Sequence, residues 1–419
     1  MKRVLVLAAM TLGACEAPSE PRDAGADAPF ASTTYYGEVR PILATHCEGC
    51  HVEGGIAPIP LDSYAAALPL AGRIAEVTRA RTMPPFLADN EGGCNTYRDA
   101  RWLSETEIAT LESWARGGAL EGDPGTPPPE PRELPHLHGD VRTLDIGVAY
   151  TPSTERPDDY RCFLVEPPAT EDLYYVTGFD VHPGNARIAH HVIVFHPAND
   201  EAIAEARALE AMDETPGYEC FGAAGVRAAA VAAWAPGGGA TFFPDGTGVQ
   251  LRGGRPLIVQ MHYNTLASDG APDRTRVDLE VATAGVSPGR FLPLADLALT
   301  LPARMEEVGW ETTLRVADYT MVRTPFRVRG VFPHMHTLGR SLEIEVERAD
   351  GSRSCLVDVP RWDFDWQMLY FYEGEGIEVR PDEPITIRCT YDTRTRDMET
   401  RWGEGTQDEM CVAGLFVTL

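Results

Sequence analysis

The sequence predicts a multidomain protein in which a small all-α domain precedes two packed all-β sandwiches, and three observations carry this. Helix-period apolar residues and a helix-capping signature are concentrated between about residues 34 and 122. A proline-rich break follows, with Pro127-Pro128-Pro129 at its centre. Beyond it the chain turns to short runs of β-forming residues broken by Gly, Pro and Asp, with one strong helical stretch from Asp200 to Met212. A length of 419 residues suits two or three domains. With 63 acidic against 36 basic side chains the formal charge is −27, which repels phosphate backbones and disfavours a nucleic-acid partner.

The N-terminus reads as an export signal. Lys2 and Arg3 precede an apolar run from Val4 to Leu12, too short to span a bilayer, and Leu12-Gly13-Ala14-Cys15 reads as a lipobox. A lipidated Cys15 would anchor the chain to the bacterial cell envelope, periplasmic or outer-surface side, by acyl chains alone. An ordinary signal peptide with a chance cysteine is the alternative. Residues 16–33, rich in Pro, Ala, Asp and Ser, read as a flexible tether.

In the 34–122 domain, Tyr36 to Thr45 carries Val39, Ile42 and Leu43 at helical spacing. Ser104-Glu-Thr-Glu107 is a capping box that opens a helix with Ile108, Leu111 and Trp114 on one face, stopped by Gly117-Gly118. Between these lies Cys47-Glu48-Gly49-Cys50-His51, a CxxCH pattern. One helical turn puts both sulfurs on one side of a porphyrin with the histidine beneath the iron, although a bare CxxCH can also arise by chance or bind zinc. Met83, beside Pro84 and Pro85, suits a second axial ligand. The domain thereby resembles a mono-haem class I cytochrome c. The resemblance implies a covalently attached haem c held by Cys47, Cys50, His51 and Met83, and electron transfer rather than gas binding.

Residues 123–141 read as a stiff linker, and the β region divides near 280–295, where Ala284-Gly285-Val286-Ser287-Pro288-Gly289 interrupts the pattern, giving sandwiches at 142–285 and 286–419. Expected strands include Leu173–Phe179, Ala189–Phe195, Leu257–Tyr263, Phe326–Val331, Leu342–Val346 and Ile385–Thr390.

Histidines gather on these strands. His334 and His336 share a strand face and can chelate one ion, while Met335 points the other way. His190 and His191 are adjacent, so they can share a metal only if the strand twists or ends there, or if the rings use different nitrogens. His262 lies in Gln260-Met261-His262-Tyr263 and Met410 in Glu409-Met410-Cys411. Two imidazoles and a thioether favour Cu(I) over hard cations.

At this point residues from about 145 to 419 resemble the copper type II ascorbate-dependent monooxygenases, the family of peptidylglycine α-hydroxylating and dopamine β-monooxygenases. The resemblance implies two copper ions: one held by His190, His191 and His262 for electron transfer, the other held by His334, His336 and Met410, the catalytic set, where dioxygen is used. It further implies eight- to nine-stranded jelly-roll-like sandwiches facing across an open cleft, ascorbate or another reductant, a small-molecule substrate, and disulfides Cys162–Cys220 and Cys389–Cys411. Cys94 and Cys355 stay unassigned, either paired across domains or free. Phe332, Val412 and Gly414 stand where the peptidylglycine enzymes clamp a substrate carboxylate. A glycine-extended peptide is therefore disfavoured and a more apolar substrate expected, although Phe332 also suits plain packing. His136, His138, His182 and His196 read as linker or surface residues.

The expected function is a copper monooxygenase, an oxidoreductase that hydroxylates a C–H bond, fed by a fused haem domain and open to a redox partner protein. The alternative is an electron-transfer or copper-holding lipoprotein without hydroxylase activity.

Overall fold

The computed structural model describes residues 33–419 apart from 54–56, 58, 126–128, 131–132, 168–170, 221–222, 236–238, 266–269 and 404. The expected signal peptide, Cys15, residues 16–32 of the tether and two of the three central linker prolines lie outside the described residues.

A small helical region comes first. A π-helical turn at Tyr35–Val39 runs into a helix at Arg40–His46, and further helices span Tyr64–Ala67, Ala71–Arg79 and Glu105–Arg116. The capping box forms: the Ser104 hydroxyl accepts from the Glu107 N–H while the Glu107 carboxylate accepts from the Ser104 N–H. Ile108, Leu111 and Trp114 are buried with Tyr35, Val39 and Leu43 in one core. The helix stops at Gly117, and Gly118, at φ +89°, takes the left-handed conformation that only glycine adopts without strain.

This region is not the self-contained all-α unit that its periodicity suggests. Residues 84–102 leave the helical body as an arm laid on the C-terminal half of the β region. Phe86, Leu87, Ala88 and Tyr97 are buried in the core of that half. Cys94 is bonded to Cys355, and the Asn95 amide donates to the carbonyls of Cys355 and Leu356 at 2.9 and 3.1 Å. Pro84 and Pro85 break helical periodicity, so the apolar side chains after them find their partner in a neighbouring core. The expected linker is likewise no free spacer where it is described. The Pro135 carbonyl accepts from Ala240 N–H at 2.8 Å, and the Glu280 carboxylate accepts from the N–H groups of His138 and Gly139.

Strands form where β-formers run, among them Leu173–His182, Ala189–Pro197, Leu257–Asn264, Phe326–His334, Gly339–Glu347 and Ile385–Tyr391, and among the described residues the one long helix of this region spans Asp200–Met212. A five-stranded sheet (order Tyr218–Glu219, Asp158–Val165, Leu257–Asn264, Ala189–Pro197, Ala228–Trp234) covers the first half. A four-stranded sheet (order Val308–Leu314, Ile385–Tyr391, Gly339–Glu347, Arg353–Val359) covers the second. Both pack on a single ten-stranded sheet, with one apolar core between each pair of layers. The sandwiches are therefore fused: Thr247–Arg252 of the first half pairs in parallel with Ser287–Ala295 of the second, Ser287 opposite Thr247. The turn at Gly285 redirects the chain without ending the sheet. Joining the two halves removes two edges that would otherwise offer unpaired backbone groups.

Disulfides Cys162–Cys220 and Cys389–Cys411 accompany Cys94–Cys355. Three disulfides belong to a protein that matures outside the reducing cytoplasm. Among the described residues no helix is long and apolar enough to cross a membrane.

Candidate metal centre

Two sets of side chains meet where the sandwiches abut. The first is on the five-stranded sheet. Ala189–Pro197 pairs with Leu257–Asn264, His191 opposite His262, and the register shifts between Ala189 and His191. This bulge resolves the problem of adjacent histidines: the extra residue lets His190 and His191 turn to one side. Ligand nitrogens of His190, His191 and His262 lie within 4.8 Å of one another. Both ring nitrogens of His190 and Nδ1 of His262 are buried without a hydrogen-bond partner. Nε2 of His262 is taken by Asp158 at 2.9 Å, and the Thr406 hydroxyl donates to the same carboxylate oxygen at 2.7 Å. Tyr160 stacks on His262 with ring centres 4.1 Å apart.

The second set lies at the end of Phe326–His334 and just before Val412–Thr418, strands that pair with His334 opposite Val412. His334 and His336 have ring centres 5.1 Å apart. His336 Nδ1 donates to the Asp408 carbonyl at 3.1 Å and His334 Nδ1 to the Gln367 amide oxygen at 2.5 Å, leaving Nε2 of each free to bind. Met410 is buried; its carbonyl accepts from Tyr391, and the Cys389–Cys411 bond pins the adjacent residue. Glu409, wholly buried, accepts from the N–H groups of His336, Leu338 and Met410 and so binds the two ends of the set together. Met335 is buried in the C-terminal core, away from the set.

The electrostatics suit metal ligands. Burial holds the imidazoles of His191 and His262 below their ordinary pKa, and lowers His334 to about 4 and His336 to about 3. All four are therefore neutral at pH 7, each keeping one nitrogen lone pair. For Asp158, burial works to raise the carboxyl, but the bonds from His262 and Thr406 outweigh it and hold it below the usual range.

The two sets do not face each other across an open cleft. His191 and His334 have ring centres 6.4 Å apart, and His191, His262, His334, His336 and Met410 line one hollow with Tyr160, Ile193, Gln260 and Phe364. Phe364 of the segment 361–368 borders it. Phe364 packs on His190 and His336, and Gln367 touches both sets. Phe332 lies nearly parallel to His334, ring centres 6.2 Å apart, and pairs with Gly414. His136, His138 and His182 are exposed, away from the hollow. His196 lies on the His190 strand, with Nε2 buried and unpartnered, but outside both sets.

Sequence reasoning missed Asp158, Tyr160, Phe364 and Gln367. The last two lie in an irregular segment without periodicity, and the first two are neighbours of His262 only through strand pairing.

In the helical region Cys47 and Cys50 are outside any disulfide. His51 Nδ1 bonds to the Ile59 carbonyl at 2.8 Å, leaving Nε2 unengaged. Cys50 and Met83 line two hollows that share Arg101.

Comparison with known proteins covers the β region. Residues 144–269 match the copper type II ascorbate-dependent monooxygenase N-terminal domain and residues 295–416 its C-terminal domain, together more than half of the chain. Dopamine beta-hydroxylase of Rattus norvegicus is 25% identical over 295 residues, covering 66% of this chain and 46% of that protein. DBH-like monooxygenase protein 1 of Homo sapiens is 23% identical over 300 residues, covering 65% of this chain and 46% of that protein. The chain thus spans about half the length of the curated relatives it matches. Solved structures align loosely: the major capsid protein P2 of bacteriophage PM2 reaches a TM-score of 0.27 at 9% identity, over 66% of this chain and 97% of that one, too low to bear on function.

Proposed function

The chain belongs to the copper type II ascorbate-dependent monooxygenase family, and from that premise we propose that it hydroxylates a C–H bond of a small organic substrate with dioxygen. The observation that carries this is the gathering of a three-histidine set and a His-His-Met set about one hollow between the sandwiches. His190, His191 and His262 would hold one copper and His334, His336 and Met410 the other. When bound, copper supplies one-electron redox chemistry and the activation of dioxygen.

Other groups of the chain prepare the site. Asp158 and the Asp408 carbonyl orient His262 and His336 through the nitrogens that do not face a metal. Tyr160 and Phe364 pack against imidazole rings and exclude water. Phe332, Val412 and Gly414 offer no charged or hydrogen-bonding side chain, which favours a neutral, apolar substrate over a carboxylate. The reductant is ascorbate or a comparable one-electron donor. Cys47, Cys50, His51 and Met83 would hold a haem c, which would supply further one-electron transfer, and a lipidated Cys15 would hold the chain at the cell envelope.

The bare substrate positions favour a second reading, a copper-holding or electron-transfer lipoprotein without hydroxylase activity. Oxygen uptake by the copper-loaded chain with ascorbate separates the two. Uptake that rises with a neutral apolar substrate, with labelled dioxygen appearing in the product, supports hydroxylation. Uptake indifferent to every such substrate supports the second reading.

A further inference from the structure

Gln367 is only 3% exposed, and its amide joins the two histidine sets. Its oxygen is 2.5 Å from His334 Nδ1, while its nitrogen is 3.1 Å from His191 Nε2 and 3.0 Å from the Phe364 carbonyl oxygen. The Phe364 carbonyl fixes which end is which, because turning the amide over would set two acceptors against each other. The two rings are therefore treated unequally. His334 donates its Nδ1 proton to the amide oxygen and keeps the Nε2 lone pair for a metal. His191 meets an N–H at Nε2. A neutral imidazole that accepts there carries its proton on Nδ1, and so has no lone pair left for a metal. If a metal bound at Nε2 it would displace the amide. If it bound at Nδ1 the ring proton would move to Nε2 and confront the amide N–H. Either way the Gln367–His191 contact and ligation by His191 exclude each other.

We propose that Gln367 is a positioning residue that readies His334 for copper and must release His191 before the three-histidine set can fill. The inference rests on the copper reading above. Filling the three-histidine set then loosens the 361–368 segment, which Gln367 ties to His191, while the Gln367–His334 bond stays. Occupancy of one site is thereby transmitted to the segment that touches both.

Two measurements test this. In the wild-type full chain, hydrogen exchange in residues 361–368 is expected to speed up at least tenfold when two equivalents of Cu(I) are bound. Unchanged or slower exchange overturns the proposal. In Gln367→Leu, which removes both contacts, one equivalent of Cu(I) is expected to shift at least tenfold toward the three-histidine set. The shift is read in a Cys47→Ser/Cys50→Ser background as loss of that part of the Cu–S scattering which Met410→Ile also removes. An unchanged partition, or a shift toward Met410, overturns it. Metal analysis of the wild type keeps the two ideas apart: two coppers per chain with no such responses refutes the Gln367 role alone, whereas failure to take up copper removes the reading on which it rests.

Discussion

At the residue scale, each imidazole of the centre has one nitrogen engaged or orphaned for a reason. Asp158 on His262 and the Asp408 carbonyl on His336 set ring orientation and leave the opposite nitrogen to the hollow. Replacing Asp158 by Ala should weaken copper binding at the three-histidine set by about 10–100-fold, measured by competition with a chromophoric Cu(I) chelator. Met410→Ile should leave that set loaded but abolish substrate-dependent oxygen uptake, with copper content falling toward one per chain. The low pKa of His334 and His336, about 4 and 3, has a consequence for stability. An unfolded histidine takes up its proton near 6.5, so between pH 6.5 and about 4 the unfolded chain binds more protons than the folded one. Stability from these groups is therefore full above pH 6.5 and lost as pH falls to about 4 for His334 and about 3 for His336. The denaturation midpoint of the copper-free protein should drop over that window, and H334L/H336L should flatten the drop.

At the element scale, local pattern and long-range pairing contribute differently. The capping box at Ser104 and the helix face of Ile108, Leu111 and Trp114 are readable in the sequence because both depend on residues three or four apart. The arm at 84–102 is not, because its order comes from a core more than two hundred residues away in the chain. The same holds for the bulge at His190, which is a property of the pairing with Leu257–Asn264 rather than of either strand alone. Cys94→Ser should cost about 2–4 kcal/mol of stability. It should also open residues 84–102 to limited proteolysis while Cys162–Cys220 and Cys389–Cys411 remain formed, as peptide mapping would show. Equal protease resistance in wild type and variant would mean that the buried Phe86, Leu87 and Tyr97 hold the arm without the disulfide.

At the scale of the whole molecule, one ten-stranded sheet passing through both sandwiches makes the β region a single cooperative body. Residues 140–419 should unfold in one calorimetric transition, and cleavage at 282–287 should release neither half as a folded fragment. By itself the sequence determined the order of a helical region before two β-sandwiches, the candidate donors His190, His191, His262, His334, His336 and Met410, and the lack of a carboxylate clamp at Phe332, Val412 and Gly414. The first two follow from residue type and short-range periodicity, which a linear chain displays directly, and the third from the resemblance to the peptidylglycine enzymes. Only the tertiary structure decided that Cys94 joins Cys355, that the helical region is fastened to the C-terminal half, that the sandwiches share a sheet, and that the donor sets touch through Gln367. Each of these is a contact between segments distant in sequence, set by which apolar faces and sheet edges must be covered, and no local pattern encodes that choice.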